Sequence, residues 1–105
     1  MLNGESVPYL GAYGNAVTEE ISEQQKIPIG VYITNVQSDS PAMDAGIQHG
    51  DIIQEIKGMT VTGTASYTKA IEKCTVGETI KVCGQRRGSN GYVEVTYNVT
   101  IGSKE

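Results

Sequence analysis

The chain has 105 residues, of which 38% are hydrophobic and 19% charged, with a formal net charge of −4. This length and composition fit one compact globular domain with a modest core. Basic residues do not cluster beyond Arg86-Arg87, which argues against nucleic acid as a partner. No apolar run approaches the length that spans a bilayer, and no signal peptide is visible. We expect one domain, excised from a longer protein.

The residue types favour strands and turns, since there are thirteen glycines and six tyrosines but no phenylalanine or tryptophan. The first strand-like stretch is VPYLGAYGN, residues 7–15, in which Gly11 and Gly14 interrupt the alternation. Glycine weakens a strand interior unless a ligand or another backbone must come close. The stretch therefore predicts a close approach at this point.

A short helix and a strand follow in chain order. TEEISEQQ, residues 18–25, is typical of a short helix because Thr18 suits the N-cap and the two glutamates suit the positive end of the helix dipole. GVYITNV, residues 30–36, is rich in β-branched residues and predicts a core strand. Its apolar alternation shifts by one place before Val36, which predicts a β-bulge near Asn35.

The stretch SPAMDAG, residues 40–46, predicts a helix of little more than one turn. Ser40 suits the N-cap, Pro41 suits the first helical position, and Gly46 suits the left-handed residue that ends a helix. A turn and an isoleucine-rich strand follow over residues 49–56. The helix residues expected to pack against the core are Ala42, Met43 and Ala45.

A longer helix and a hairpin complete the chain. Residues 64–74, TASYTKAIEKC, have apolar residues at three- and four-residue steps, which indicates one apolar helix face. Residues 79–86 and 91–101 predict two paired strands with a turn around RGSNG. The second strand alternates strictly, and its expected buried face is formed by Val93, Val95, Tyr97, Val99 and Ile101. The fold class is therefore α+β or mainly β, a partly open five- to six-stranded barrel or sandwich capped by two helices.

Candidate chemical groups are few. His49, the single histidine, lies in a glycine-flanked turn where an exposed polar role is favoured. Cys74 and Cys83 lack metal-ligand spacing, and together with His49 they fall short of the four ligands of a structural zinc site. Two separate thiols are favoured over a disulfide. No nucleophile elbow or phosphate-binding loop is present, so the sequence predicts no catalytic residue, metal or cofactor within this chain.

The run SPAMDAGIQHGDII, residues 40–53, resembles the PDZ domains of the bacterial HtrA/Deg serine protease family. In that family a Ser-Pro-Ala-x-x-Ala-Gly-aliphatic-x-x-Gly-Asp run joins a stub helix to the next strand. YLGAYG and IPIGVYITNV precede it here and SYTKAIEKCTVGETIKV follows it, in the family's order. The resemblance implies a PDZ domain over residues 9–101, with residues 1–8 as a linker or leader and residues 102–105 as a C-terminal tail.

The same resemblance implies that the domain binds extended peptides, usually free C-termini, by adding them as a strand to a sheet edge. Backbone N–H groups of one loop would hold the terminal carboxylate, since Gly11 lets that loop curl. The implied carboxylate loop is Tyr9, Leu10, Gly11 and Ala12, and the implied peptide-pairing strand continues through Tyr13, Gly14 and Asn15.

The opposite wall of the implied groove is the 64–74 helix. We expect Tyr67 and Ile71 to face the ligand, with Ala70 or Cys74 behind them, and Leu10, Ala12 and Ile71 to form the pocket for the last side chain. Two positions depart from the family pattern. Ala12 stands where the family often has Ile or Val. Tyr67 is larger than the usual aliphatic residue and either narrows the groove or donates a hydrogen bond.

The resemblance also implies a parent protein. The chain would be the regulatory or substrate-recognition domain of an HtrA-like serine protease in protein quality control, with the catalytic triad outside it. The parent would be extracytoplasmic, secreted or membrane-anchored, and a homotrimer or larger, whereas the isolated domain would be a monomer. Its partners would be peptide segments of substrates and the protease domain. The alternatives are a steric gate in a site-2 metalloprotease or C-terminal processing protease, or a structural assembly domain.

Overall fold

The computed structural model describes residues 7–104. The helices are α1 (Glu19–Gln25), α2 (Pro41–Ala45) and α3 (Thr64–Glu72). The strands are β1 (Val7–Tyr9), β2 (Ala12–Val17), β3 (Gly30–Val36), β4 (Ile52–Ile56), β5 (Met59–Thr60), β6 (Thr79–Gly88), β7 (Gly91–Thr100) and β8 (Gly102–Lys104). No helix within residues 7–104 is long and apolar enough to cross a membrane.

Six strands form one antiparallel sheet in the order β2-β3-β4-β6-β7, with β5 paired to β4. The sheet does not close, so β2 lies at one edge. The predicted fold class is confirmed: the chain is mainly β with helices against an open sheet. The bulge expected near Asn35 is also present, because Tyr13 pairs with Asn35 while Gly14 pairs with Ile33, which leaves Thr34 as the extra residue.

The chain ends form a feature that sequence analysis did not predict. β1 and β8 pair as a separate two-stranded antiparallel sheet, in which Tyr9 lies opposite Gly102. Residues 7–8 of the expected leader and residues 102–104 of the expected tail lie in these two strands. Residues 1–6 and 105 of those two segments lie outside the described residues.

The helix α2 forms as predicted, with one correction. The Ser40 side chain accepts a hydrogen bond from the Met43 N–H at 3.1 Å, and Gly46 ends the helix at φ 95°. Ala42 is fully buried, whereas Met43 is 45% exposed and does not pack against the core. A helix this short turns one face inward, and Ala42 occupies that face.

The β6–β7 hairpin also departs from its predicted pattern at one end. Tyr97, Val99 and Ile101 are buried, but Val93 is 54% exposed. The strand β4 pairs with β6 only as far as Gln85, so the hairpin beyond that point has no further strand beside it. The predicted alternation along β7 is correct, but at the hairpin tip the face that carries Val93 has no core to pack against.

The hydrophobic core lies between the sheet, α2 and α3. Its fully buried members include Val31, Ile33, Ile53, Ile56 and Val82 from the strands. They are joined by Tyr67 and Ala70 of α3 and by Cys74 just after that helix. Both cysteines are free thiols, Cys74 buried and Cys83 half-buried, which agrees with the favoured interpretation.

Asp51, the acidic residue of the Gly-Asp motif, is the centre of a buried polar network. It is 1% exposed and receives two hydrogen bonds from Arg86, both at 2.9 Å, one from the Gln48 N–H at 2.9 Å and one from the Tyr97 hydroxyl. Arg86 also donates to the Gly46 carbonyl at 3.0 Å. This network ties the loop after α2 to the β6–β7 hairpin, and it explains structurally why an Asp stands at this position.

The Asp51 network predicts a specific loss of stability in acid. Burial alone would raise the pKa of Asp51, but hydrogen bonds from Arg86, Tyr97 and the Gln48 amide outweigh it and lower that pKa. The ionised carboxylate therefore stabilises the fold above its unfolded pKa of about 4, and this stabilisation is lost as the pH falls through the folded pKa. In urea unfolding, we expect the wild type to exceed Asp51→Asn in stability by more at pH 6 than at pH 3. An equal difference at both pH values contradicts this.

Candidate functional site

A cleft of about 360 Å³ lies between the free edge of β2 and helix α3. The strand side is formed by residues 8–14, and the helix side by Thr64, Tyr67, Thr68, Ile71 and Glu72. The structure therefore brings together the loop and the helix that the sequence assigned to opposite walls of one groove.

The loop from Tyr9 to Ala12 is held in place by the SPAMDAG segment. The Leu10 carbonyl accepts a hydrogen bond from the Ala42 N–H at 2.8 Å, and the Gly11 carbonyl accepts one from the Gln37 N–H at 2.9 Å. Gly11 has φ +91°, and a Cβ added there would lie 2.3 Å from Ser40 Cβ. Only glycine fits at this position, so the stub helix motif and the loop depend on each other.

The loop carbonyls point into the protein, while its N–H groups remain available. Within residues 7–104, neither the Leu10 N–H nor the Gly11 N–H has a hydrogen-bond acceptor. The Ala12 N–H points in the same general direction, because Ala12 and Val36 form a non-hydrogen-bonded pair flanked by the bond from Gln37 to Gly11. Three successive donors thus border one end of the cleft, the arrangement that suits an anion.

The free edge of β2 presents alternate residues to the cleft. Backbone groups of Ala12 face away from β3, and the alternation along a strand directs those of Gly14 the same way. Those of Tyr13 and Asn15 face β3, and both side chains are exposed. A Cβ on Gly14 would lie 1.9 Å from the Tyr32 carbonyl oxygen. The close approach predicted at Gly14 is therefore that of the neighbouring strand.

Helix α3 supplies the other wall with a mixed surface. Ile71 is partly buried and lines the cleft, whereas Ala70 and Cys74 are buried in the core behind it and do not line the cleft. Leu10 and Ala12 line the cleft while being only 2% and 1% exposed. Sequence analysis missed Thr64 and Thr68, which line the cleft on the same helix face as Ile71. Their spacing of four and three residues could have indicated this.

Tyr67 connects the two walls. Its hydroxyl donates a hydrogen bond of 2.6 Å to the Ala12 carbonyl, and its side chain is 5% exposed. Burial, with a smaller effect of Tyr13, raises the pKa of Tyr67, so the hydroxyl remains a donor at neutral pH. Of the two roles left open for this tyrosine, the structure shows the hydrogen bond.

Charged side chains contribute little to the cleft. Among its described lining residues, Glu72 carries the single charge, and no lysine or arginine is present. An anion held here would therefore be held by backbone N–H groups. His49 is exposed and meets the Tyr32 ring edge-on at 6.0 Å, far from the cleft lining. Residues 7–104 contain no group of three His, Cys, Asp or Glu placed to hold a metal ion.

Comparison with known families agrees with this geometry. Residues 8–97 match the PDZ domain family. The chain belongs to the PDZ domain family. Similar proteins include the putative serine protease HhoB of Synechocystis, 33% identical over 89 residues, and a probable periplasmic serine endoprotease DegP-like of Hahella chejuensis, 30% identical over 98 residues. The matches cover 75% and 90% of this chain but 21% of either relative.

Solved structures show the same PDZ fold. An S227A variant of the HtrA-type protease AlgW, solved with a decapeptide, superposes with a TM-score of 0.83 at 21% identity, covering 97% of this chain and 30% of that one. The HtrA3 PDZ domain bound to a phage-derived ligand superposes with a TM-score of 0.75 at 19% identity, covering 95% of this chain and 89% of that one. These two structures confirm the PDZ fold. The predicted resemblance to PDZ domains of HtrA-type proteases is confirmed by the family match together with the named relatives.

Proposed function

We propose that this PDZ domain binds the free C-termini of polypeptides by adding them as a strand to the edge of β2. The observation that carries this proposal is the set of three loop N–H groups at residues 10–12, next to an unpaired strand edge and an apolar wall. Peptide ligands in the solved relatives AlgW and HtrA3 support the same role.

The ligand's terminal carboxylate would accept hydrogen bonds from the N–H groups of Leu10, Gly11 and Ala12. Bonds from neutral donors to a carboxylate are short and strong, so no basic side chain is needed. The last side chain would enter the apolar space between Leu10, Ala12 and Ile71. Further up the ligand, backbone pairing would involve Gly14, the next residue of β2 that faces the cleft.

The parent protein would be an HtrA-like serine protease that this domain regulates or supplies with substrate. The names of its relatives, serine protease and periplasmic serine endoprotease, support this assignment and an extracytoplasmic location. The catalytic triad would lie in a separate domain, and the recognised segments would be the exposed C-termini of misfolded or signalling polypeptides. The isolated domain would be monomeric and the parent a homotrimer or larger.

Titration with paired peptides tests the binding proposal. A peptide with an apolar C-terminal residue and a free carboxylate is expected to bind with a dissociation constant on the order of micromolar. The same peptide with an amidated C-terminus is expected to bind about tenfold more weakly or worse, because it loses charge-assisted hydrogen bonds. Calorimetry or fluorescence anisotropy measures both. Equal affinities for the two forms contradict carboxylate recognition, and absence of binding by peptides of varied sequence contradicts the function.

A further inference from the structure

The Ala12 carbonyl is the first acceptor that a ligand strand would meet beyond the carboxylate loop. The register places it on the free edge of β2. The neighbouring Gly11 carbonyl points the opposite way, toward β3, and accepts from the Gln37 N–H just after that strand. In antiparallel strand addition, an edge carbonyl accepts from an N–H of the incoming strand. For a ligand whose carboxylate sits at Leu10 and Gly11, that donor is the N–H of its last residue.

This acceptor is already bonded within the protein. The Tyr67 hydroxyl reaches across from α3 and donates to the Ala12 carbonyl at 2.6 Å. The cleft stays open with this bond in place, because Tyr67 and Ala12 both line its volume of about 360 Å³. A ligand can therefore enter without removing the tyrosine. Its last N–H and the Tyr67 hydroxyl would then share one carbonyl oxygen, which has two lone pairs.

We infer that the Tyr67 hydroxyl is a specificity-determining group that weakens the groove's requirement for the N–H of the ligand's last residue. The inference rests on the proposed function. In a groove with an unoccupied Ala12 carbonyl, a ligand without this N–H would leave the acceptor unsatisfied and bind more weakly. Here the hydroxyl already satisfies the acceptor, so the missing N–H has a small effect.

A double-mutant cycle between protein and ligand tests this coupling directly. One axis is wild type against Tyr67→Phe, which removes only the hydroxyl. The other axis compares two peptides that both have a free C-terminal carboxylate. In one, the last backbone linkage is the usual amide; in the other, it is an ester, which replaces the last N–H by oxygen. In the wild type, the ester is expected to bind within about twofold of the amide. In Tyr67→Phe, the ester is expected to bind about fivefold more weakly than the amide, because the N–H now satisfies the carbonyl alone.

A merely structural role for Tyr67 would change the affinity of both peptides by the same factor, and that result overturns the inference while leaving peptide binding intact. If neither protein binds the peptide that has the usual backbone amide and a free carboxylate, the proposed function is overturned, and this inference with it. Tyr92→Phe is the matched control. It also removes a tyrosine hydroxyl, but Tyr92 lies on β7 and does not line the cleft. Its two affinities are expected to match those of the wild type, and urea unfolding verifies that each variant is folded.

Discussion

Asp51→Asn is expected to lower the free energy of unfolding by about 2 kcal/mol, because it removes the charge of a buried carboxylate whose partner Arg86 is 36% exposed. The wild-type carboxylate accepts from Arg86, Tyr97 and the Gln48 N–H. An amide in its place would turn an N–H₂ group toward some of these donors and remove the charge that pairs with Arg86. Urea unfolding monitored by circular dichroism measures the change.

The matched control for this substitution is Asp44→Asn, since Asp44 is an exposed carboxylate on α2. We expect a change within about 0.5 kcal/mol there. A loss below about 1 kcal/mol for Asp51→Asn, comparable to breaking a surface ion pair, contradicts the view that this network holds the loop after α2.

Gly11→Ala is expected to lower the free energy of unfolding by about 3 kcal/mol and to weaken binding of a C-terminal peptide. Two costs add: a left-handed backbone conformation, about 1–2 kcal/mol, and overpacking against Ser40, about 1–3 kcal/mol. Gly77 separates them, because it has φ +90°, nearly the φ of Gly11, with nothing within 4 Å of an added Cβ. Gly77→Ala should therefore lose only the backbone cost and keep full peptide affinity.

Urea unfolding and peptide titration of both alanine variants check this pair. Equal losses of stability for the two alanine variants would show that overpacking against Ser40 does not lower the free energy of unfolding. Unchanged peptide affinity in a folded Gly11→Ala protein would show that the loop is not the carboxylate site.

Much of the fold could be predicted because local rules agreed with the global structure. At α2, the N-cap at Ser40, the proline at the first helical position and the glycine at the end all indicate the same short helix, which the structure contains. The bulge near Asn35 was predictable because a single shift of alternation has one simple structural cause.

Other features could not be predicted because they depend on contacts between distant segments. Pairing of β1 with β8 joins the two ends of the described chain, and three-residue strands carry no clear periodicity. Val93 follows the alternation of its strand, but its burial depends on whether another strand extends beside the hairpin tip. The sequence alternation indicates which face of a strand a residue lies on, whereas its burial also depends on whether another element packs against that face.

The candidate site shows the same division. The proposed carboxylate loop is indicated in the sequence by Gly11 together with the family motif, because almost no residue type other than glycine fits at that position. The role of Tyr67 stayed open, because only the distance between α3 and β2 decides whether its hydroxyl reaches the Ala12 carbonyl. The spacing of Thr64 and Thr68 indicates that they share a helix face with Ile71, but small polar residues look the same in the sequence whether that face borders a cleft or solvent.

In the proposed complex, the N–H groups of Leu10, Gly11 and Ala12 hold the carboxylate of a bound C-terminus, and those of Leu10 and Gly11 have no acceptor within residues 7–104. Titration of the ¹⁵N-labelled protein with a free-carboxylate peptide, followed by amide NMR spectra, tests it most directly. Because a carboxylate is a strong acceptor, we expect the Leu10 and Gly11 amide protons to shift strongly downfield with this peptide and to shift little with its amidated form. Saturable binding that leaves both amide signals in place, with shifts confined to another surface, would contradict it.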